Sequence, residues 1–131
     1  MDPSIFKKMK VKPAAAAMAF FAPSNYPKPE EFSWQGTGLA DFVHLFVESR
    51  QHFAERFPRA AEACKIGGLL WVSYPKGNKN INRDSLWGLL LNAGYHPVAQ
   101  VSLSEEWSAV RAKINETGVE YQRPGNVKTG G

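Results

Sequence analysis

The sequence holds a single cysteine, Cys64, in 131 residues. No intrachain disulfide can form. None is needed, because a domain near ~150 residues hides roughly two-thirds of its unfolded surface on folding. Scarce cysteine points to a reducing compartment, so a cytoplasmic location is expected. Long apolar runs are missing too. The run from Ala14 to Phe21 falls far short of the roughly 20 apolar residues of a membrane helix, and no membrane partner is expected. Basic residues before it (Lys7, Lys8, Lys10, Lys12) give residues 7–22 the outline of a secretory signal. Pro13 opens the run and turn residues close it, however, so it reads as a buried strand.

Charge of one sign is in small surplus: 16 Lys and Arg against 12 Asp and Glu, a net +4. Nucleic-acid binders carry a stronger basic stripe with aromatics interleaved. The surplus is read as solubility, and nucleic acid is not an expected partner. Several catalytic and cofactor signatures are also lacking. No Gly-x-Gly-x-x-Gly and no Gly-x-x-x-x-Gly-Lys-Ser/Thr occurs. Ser73 has no G-x-S-x-G elbow around it. No H-x-x-x-H or C-x-x-C spacing suggests a metal, and no cofactor is implied.

What is present is globular: 44% hydrophobic and 12% aromatic residues can fill a core. The chain reads as one α/β domain over residues 1–131, with its core at about 12–119 and a loose polar tail at 120–131. Strands are expected at Ala14–Phe21, Asp41–Val47, Leu69–Tyr74 and His96–Leu103, with Trp107–Ile114 read as a last strand rather than a short helix. Pro27–Phe32 can start a short helix. Behind a Ser49 cap, Phe53, Phe57, Ala60, Ala61 and Cys64 recur at helical spacing, with Pro58 either kinking the helix or dividing it. A second helix spans about Asp84–Ala93, capped by Asn82 or Asp84 and closed by Gly94. This alternation predicts a small, mostly parallel sheet of four to five strands with helices on both faces, a Rossmann-like half fold.

LWVSYPKG (Leu70–Gly77), NRDSLW (Asn82–Trp87) and WSAVR (Trp107–Arg111), in that order, resemble a family of small bacterial proteins known only as a domain of unknown function. DFVHLFV (Asp41–Val47) fits the same pattern, and the likeness spans about residues 14–112. The resemblance implies a bacterial source and a small α/β fold. It implies no substrate.

Ligands of parallel α/β sheets gather at the carboxyl ends of the strands. Two segments should lie there: the turn Ala22–Tyr26 and the loop after Leu69–Tyr74. The loop offers Lys76, Gly77, Lys79, Asn82 and Arg83 just before a helix N-terminus, a setting that suits phosphate or carboxylate. The plainer alternative is a solvated loop whose Asn and Asp cap the helix. Asp84, Trp107 and Arg111 are candidate structural residues, with Arg83 forking onto a carboxylate or the Trp107 ring. His44, inside an apolar run, is expected to be a satisfied core histidine, and Cys64 an inert thiol.

These readings favour a non-catalytic binding or regulatory module that takes a small anion at the loop. One alternative is an enzyme acting on a phosphorylated or carboxylate molecule, with Asp84, His44 or Glu105 as acid or base. Another is a homodimer or an interaction protein that pairs through an exposed edge.

Overall fold

A computed structural model describes residues 1–115, and the tail expected at 120–131 lies outside that range. The alanine-rich run shows how packing overrides propensity. Alanine favours helix, yet Ala16–Phe20 is strand β1, in parallel with a neighbour on each side. One neighbour is β2, the two residues Ser33–Trp34; the other is β3, Ala40–Phe46. The Asp41 carboxylate also accepts the Ala16 amide at 2.9 Å, fixing the entry of β1.

β3 is covered on both faces, as its unbroken apolar run predicts. Val43, Leu45 and Val47 face one core, while Phe42, His44 and Phe46 face the other. Helix α2, Arg50–Ala63, follows, with the Ser49 hydroxyl accepting the His52 amide at 3.0 Å. It runs through Pro58 as one element. Phe53, Phe57 and Ala60 keep their helical spacing and are buried.

Strand β4, Cys64–Pro75, is longer than expected because it contains a bulge. Ala40 pairs with Cys64 and Phe42 with Leu69, so Lys65–Gly68 stand opposite the single residue Asp41. Gly67 sits at φ +84° at the turn of this bulge. Gly68 has no room for a side chain: a Cβ would lie 2.8 Å from the Asp41 carbonyl and 2.9 Å from that of Lys65. Helix α3, Arg83–Asn92, opens with a reciprocal cap in which Asn82 and Ser85 each bond the other's backbone amide. Leu86 and Leu90 are its buried face, and Gly94 ends it at φ +91°. β5, Tyr95–Ser102, and β6, Trp107–Ile114, then form a hairpin.

The sheet has six strands in the order β2-β1-β3-β4-β6-β5. The expected sheet of four to five mostly parallel strands is therefore too small and too uniform. β1, β2, β3 and β4 run parallel, but β6 returns antiparallel between β4 and β5. A hairpin partner can occupy that slot without a crossover helix, and strand patterning does not reveal direction. Nor are long helices found on both faces. α2 and α3 share one face, over Val43, Leu45, Val72 and Val110. The other face is closed by the one-turn helix α1, Ile5–Lys8, with Met9, Phe32 and Trp34. The basic segment with a signal-like outline thus belongs to this packed layer: Phe6 meets the rings of Tyr26, Phe32, Trp34 and Phe42. Pro27–Phe32 is irregular chain rather than helix, and the Pro29 carbonyl accepts the Trp34 indole N–H at 2.9 Å. Among the described residues no helix is long and apolar enough to cross a membrane.

Candidate functional site at the carboxyl edge

β2 lies on one side of β1 and β3 on the other. The chain therefore changes direction at β1, and the carboxyl ends of β1 and β3 part around a crevice. Such switch points are where open α/β sheets hold ligands. Phe21, Ala22 and Pro23 after β1, Phe46 and Glu48 at the end of β3, Arg56 of α2 and Trp107 of β6 line a cavity of about 320 Å³. That is near the lower limit of small-molecule sites, about 300 Å³.

Its walls are aromatic. The Phe46 and Trp107 rings meet edge to face, 4.9 Å apart. Phe21 is 55% exposed and sits at φ +59°, a conformation that costs a bulky residue about 1–2 kcal/mol. The Arg56 guanidinium lies 3.9 Å from the Phe21 ring centre, and Arg56 Nη1 donates to the Phe46 carbonyl at 3.0 Å. Both contacts hold the guanidinium at the crevice while leaving other N–H donors for a ligand. Glu48 brings a carboxylate, and its own amide donates to His52 Nδ1 at 3.1 Å. Sequence reading missed Glu48 and Arg56. Nothing in local spacing marks them; only the switch in strand order brings the ends of β1 and β3 together with α2.

Beside the crevice lies a buried polar chain. The Tyr26 hydroxyl is 3.0 Å from His44 Nδ1, and His44 Nε2 is 2.6 Å from Ser73 Oγ. His44 and Ser73 are fully buried, and the His44 ring stacks on Phe46 at 4.3 Å. Burial lowers the His44 pKa to about 3 and raises that of Tyr26. His44 is thus the neutral, satisfied core histidine expected, and Ser73 is closed off from any substrate.

The 76–83 loop is largely committed to structure. Lys76 Nζ donates to Ser102 Oγ at 2.6 Å. Asn78 Oδ1 accepts the amides of Asn80 and Ile81, and Asn82 caps α3. Gly77, at φ +68°, lets the chain turn. Arg83 pairs with a carboxylate, that of Asp84 at 3.6 Å, which is one of its two expected partners, and its guanidinium lies 5.7 Å from the Trp87 ring centre rather than on the Trp107 ring. Lys79 and Asp84 are exposed. Trp107 belongs to the crevice, and Arg111 to the opposite end of β6. Of the three proposed acids or bases, His44 is buried, and neither Asp84 nor Glu105 lines the crevice. Burial also raises the Cys64 thiol to about 11, in keeping with an inert residue. Among the described residues no cluster of His, Cys, Asp or Glu can hold a metal ion.

The turn after β1 is where sheets of this kind usually hold a nucleotide cofactor, by glycines and a helix N-terminus directed at phosphate. This chain has Phe21-Ala22-Pro23 there, followed by irregular chain, and no helix separates β1 from β2. Gln35, Gly36 and Thr37 follow β2 in place of a ribose-binding acid. The residues present do not fit that mode of cofactor binding.

No family model matches the chain, and no curated protein matches it in sequence. Among the solved structures similar to this chain are two of related fold. The B. subtilis tRNA methyltransferase TrmK aligns with a TM-score of 0.53 at 12% identity, over 92% of this chain and 71% of that one. A protein of the NADB-Rossmann superfamily from Streptococcus agalactiae aligns with a TM-score of 0.54 at 9% identity, with the same coverage. The expectation of a non-catalytic binding module centred on the 76–83 loop is corrected: one of these neighbours is a tRNA methyltransferase, and the loop is largely committed to the turn and the helix cap. The chain has an α/β, Rossmann-like fold built on a six-stranded mixed sheet.

Proposed function

We propose that the protein is a methyltransferase-like enzyme whose reacting ligand occupies the crevice between the carboxyl ends of β1 and β3. The observation that carries this reading is the coincidence of the switch point with an aromatic cavity bearing one acid and one base, Glu48 and Arg56. Aromatic faces attract cations, and tryptophan does so best. Trp107 and the Glu48 carboxylate therefore suit a positively charged centre, and Arg56 suits a carboxylate. The cavity is small and the nucleotide turn is not built. A compact sulfonium or quaternary ammonium carboxylate fits better than a ligand carrying a nucleoside.

Calorimetric titration with glycine betaine, S-methylmethionine and S-adenosylmethionine tests this. The compact ligands are expected to bind the wild-type protein and to lose at least tenfold in affinity in both Glu48→Gln and Arg56→Ala. Silence from all three ligands, or affinity unchanged in both variants, would refute the reading. Binding of S-adenosylmethionine alone would refute the compact-ligand part and restore a nucleoside cofactor.

A further inference from the structure

The opposite edge of the sheet has a different character. The amino ends of β1, β3 and β4 lie side by side, and a cavity of about 600 Å³ opens between them. Lys10, Lys12 and Lys65 contribute to its lining, against the single carboxylate of Asp41. That carboxylate is already satisfied: it accepts the Ala16 amide and pairs with Lys65 at 3.1 Å. The amide first, and then Lys65, hold its pKa below the ordinary value. Among the described residues neither Lys10 nor Lys12 has a salt-bridge partner.

The bulge Lys65–Gly68 is the ridge between this cavity and a second one of about 410 Å³. Arg111 and Lys113 line the second cavity. Arg111 Nε is buried and has no acceptor among the described residues, an arrangement that costs free energy unless something supplies one. At the crest of the ridge Ile66 is 99% exposed. Two residues lining the larger cavity, Lys10 and Ala14, hold φ +67°, a backbone strain that tends to persist where a site requires it.

We infer that this amino edge is a second binding site, for a small ligand carrying two or more phosphate groups, seated over Lys10, Lys12 and Lys65 and extending across the ridge toward Arg111. Positive side chains from β4, β6 and the N-terminal segment line these two adjoining cavities. One phosphate would engage the lysines, and a second would meet Arg111 and Lys113, which line the second cavity. The Lys65–Asp41 pair is half exposed and holds little stability of its own, so Lys65 can turn to a ligand. The inference does not depend on the reading of the carboxyl edge, which lies at the other end of the strands.

The test is titration of the wild-type chain with orthophosphate, pyrophosphate and tripolyphosphate, followed by calorimetry and repeated at raised salt. Tripolyphosphate is expected to bind at least tenfold more tightly than orthophosphate. The double variant Lys12→Ala/Lys65→Ala should weaken it at least tenfold, while Lys79→Ala, an exposed lysine on the far loop, should leave it unchanged. Ile66→Asp adds a carboxylate to the exposed ridge without touching the core, and it too should weaken binding at least tenfold. If the double variant does not fold, Ile66→Asp decides. No binding of any polyphosphate overturns the inference. So does equal weakening by Lys79→Ala, which would mean diffuse charge. Binding that appears only with a single-stranded RNA oligomer or anionic vesicles would also overturn it, in favour of a polymer or membrane surface.

Discussion

His44 makes the fold sensitive to mild acid, and replacing it with glutamine should remove that sensitivity. The imidazole is fully buried among the rings of Tyr26, Phe42 and Phe46, and its pKa falls to about 3. In the unfolded chain an ordinary histidine titrates near ~6.5. Between these values the unfolded state binds a proton that the folded state refuses. Stability therefore declines as pH falls through this window, with a slope approaching about 1.4 kcal/mol per pH unit. From pH 7 to 4.5 the loss from His44 alone comes to roughly 2–3 kcal/mol, a large share of the ~5–15 kcal/mol of a typical domain. Asp2 and Asp41, whose carboxyl pKa values are lowered, lose their contribution only towards the acid end of that range and do so equally in wild type and variant. Gln at position 44 can still hydrogen-bond the Tyr26 and Ser73 hydroxyls but cannot take up a proton. Urea unfolding of wild type and His44→Gln at pH 7, 6, 5 and 4.5 isolates the difference. The wild type should lose its advantage steadily as pH falls. Parallel stability curves for the two proteins would refute the assignment of a buried neutral imidazole.

Other substitutions probe the same framework. Ser73→Ala removes the 2.6 Å partner of His44 Nε2 and leaves a buried nitrogen unpaired, which should cost about 2 kcal/mol and lower the melting temperature by roughly 7 °C. Gly68→Ala forces a methyl against the Asp41 and Lys65 carbonyls, and denaturant melts should show a loss of about 1–3 kcal/mol; a neutral effect would contradict the tight bulge. Asn82→Ala breaks the cap of α3 and should destabilise the fold by about 1 kcal/mol in the same assay, with no change expected if the cap were solvent-replaced.

The central strands were readable because burial imposes its own pattern. DFVHLFV has no polar face to offer, and it occupies the middle of the sheet. The helix caps at Ser49 and Asn82 were equally legible, since capping chemistry is local in sequence. Direction was not legible. The β6 segment WSAVR fits a parallel or an antiparallel slot, and only its register with Leu70–Pro75 shows that it runs back. Two-residue β2 is too short to leave a period, and the one-turn helix α1 is held by burial of Ile5, Phe6 and Met9 rather than by propensity. The site was misplaced for a related reason. The cations of the 76–83 loop are conspicuous in sequence, but Asn78 and Asn82 spend their side chains on the turn and the helix cap. Glu48 and Arg56 look like ordinary surface charges until strand order brings them to the mouth of one crevice.

Where a compact onium carboxylate sits can be mapped by titrating glycine betaine into isotopically labelled protein and following backbone amide and indole resonances. Shifts are expected to concentrate at Phe21 and Ala22, at Phe46–Glu48, and at the Trp107 indole. Shifts gathered instead on Lys76–Arg83, or spread evenly over the surface, would contradict a ligand site at the switch point between β1 and β3.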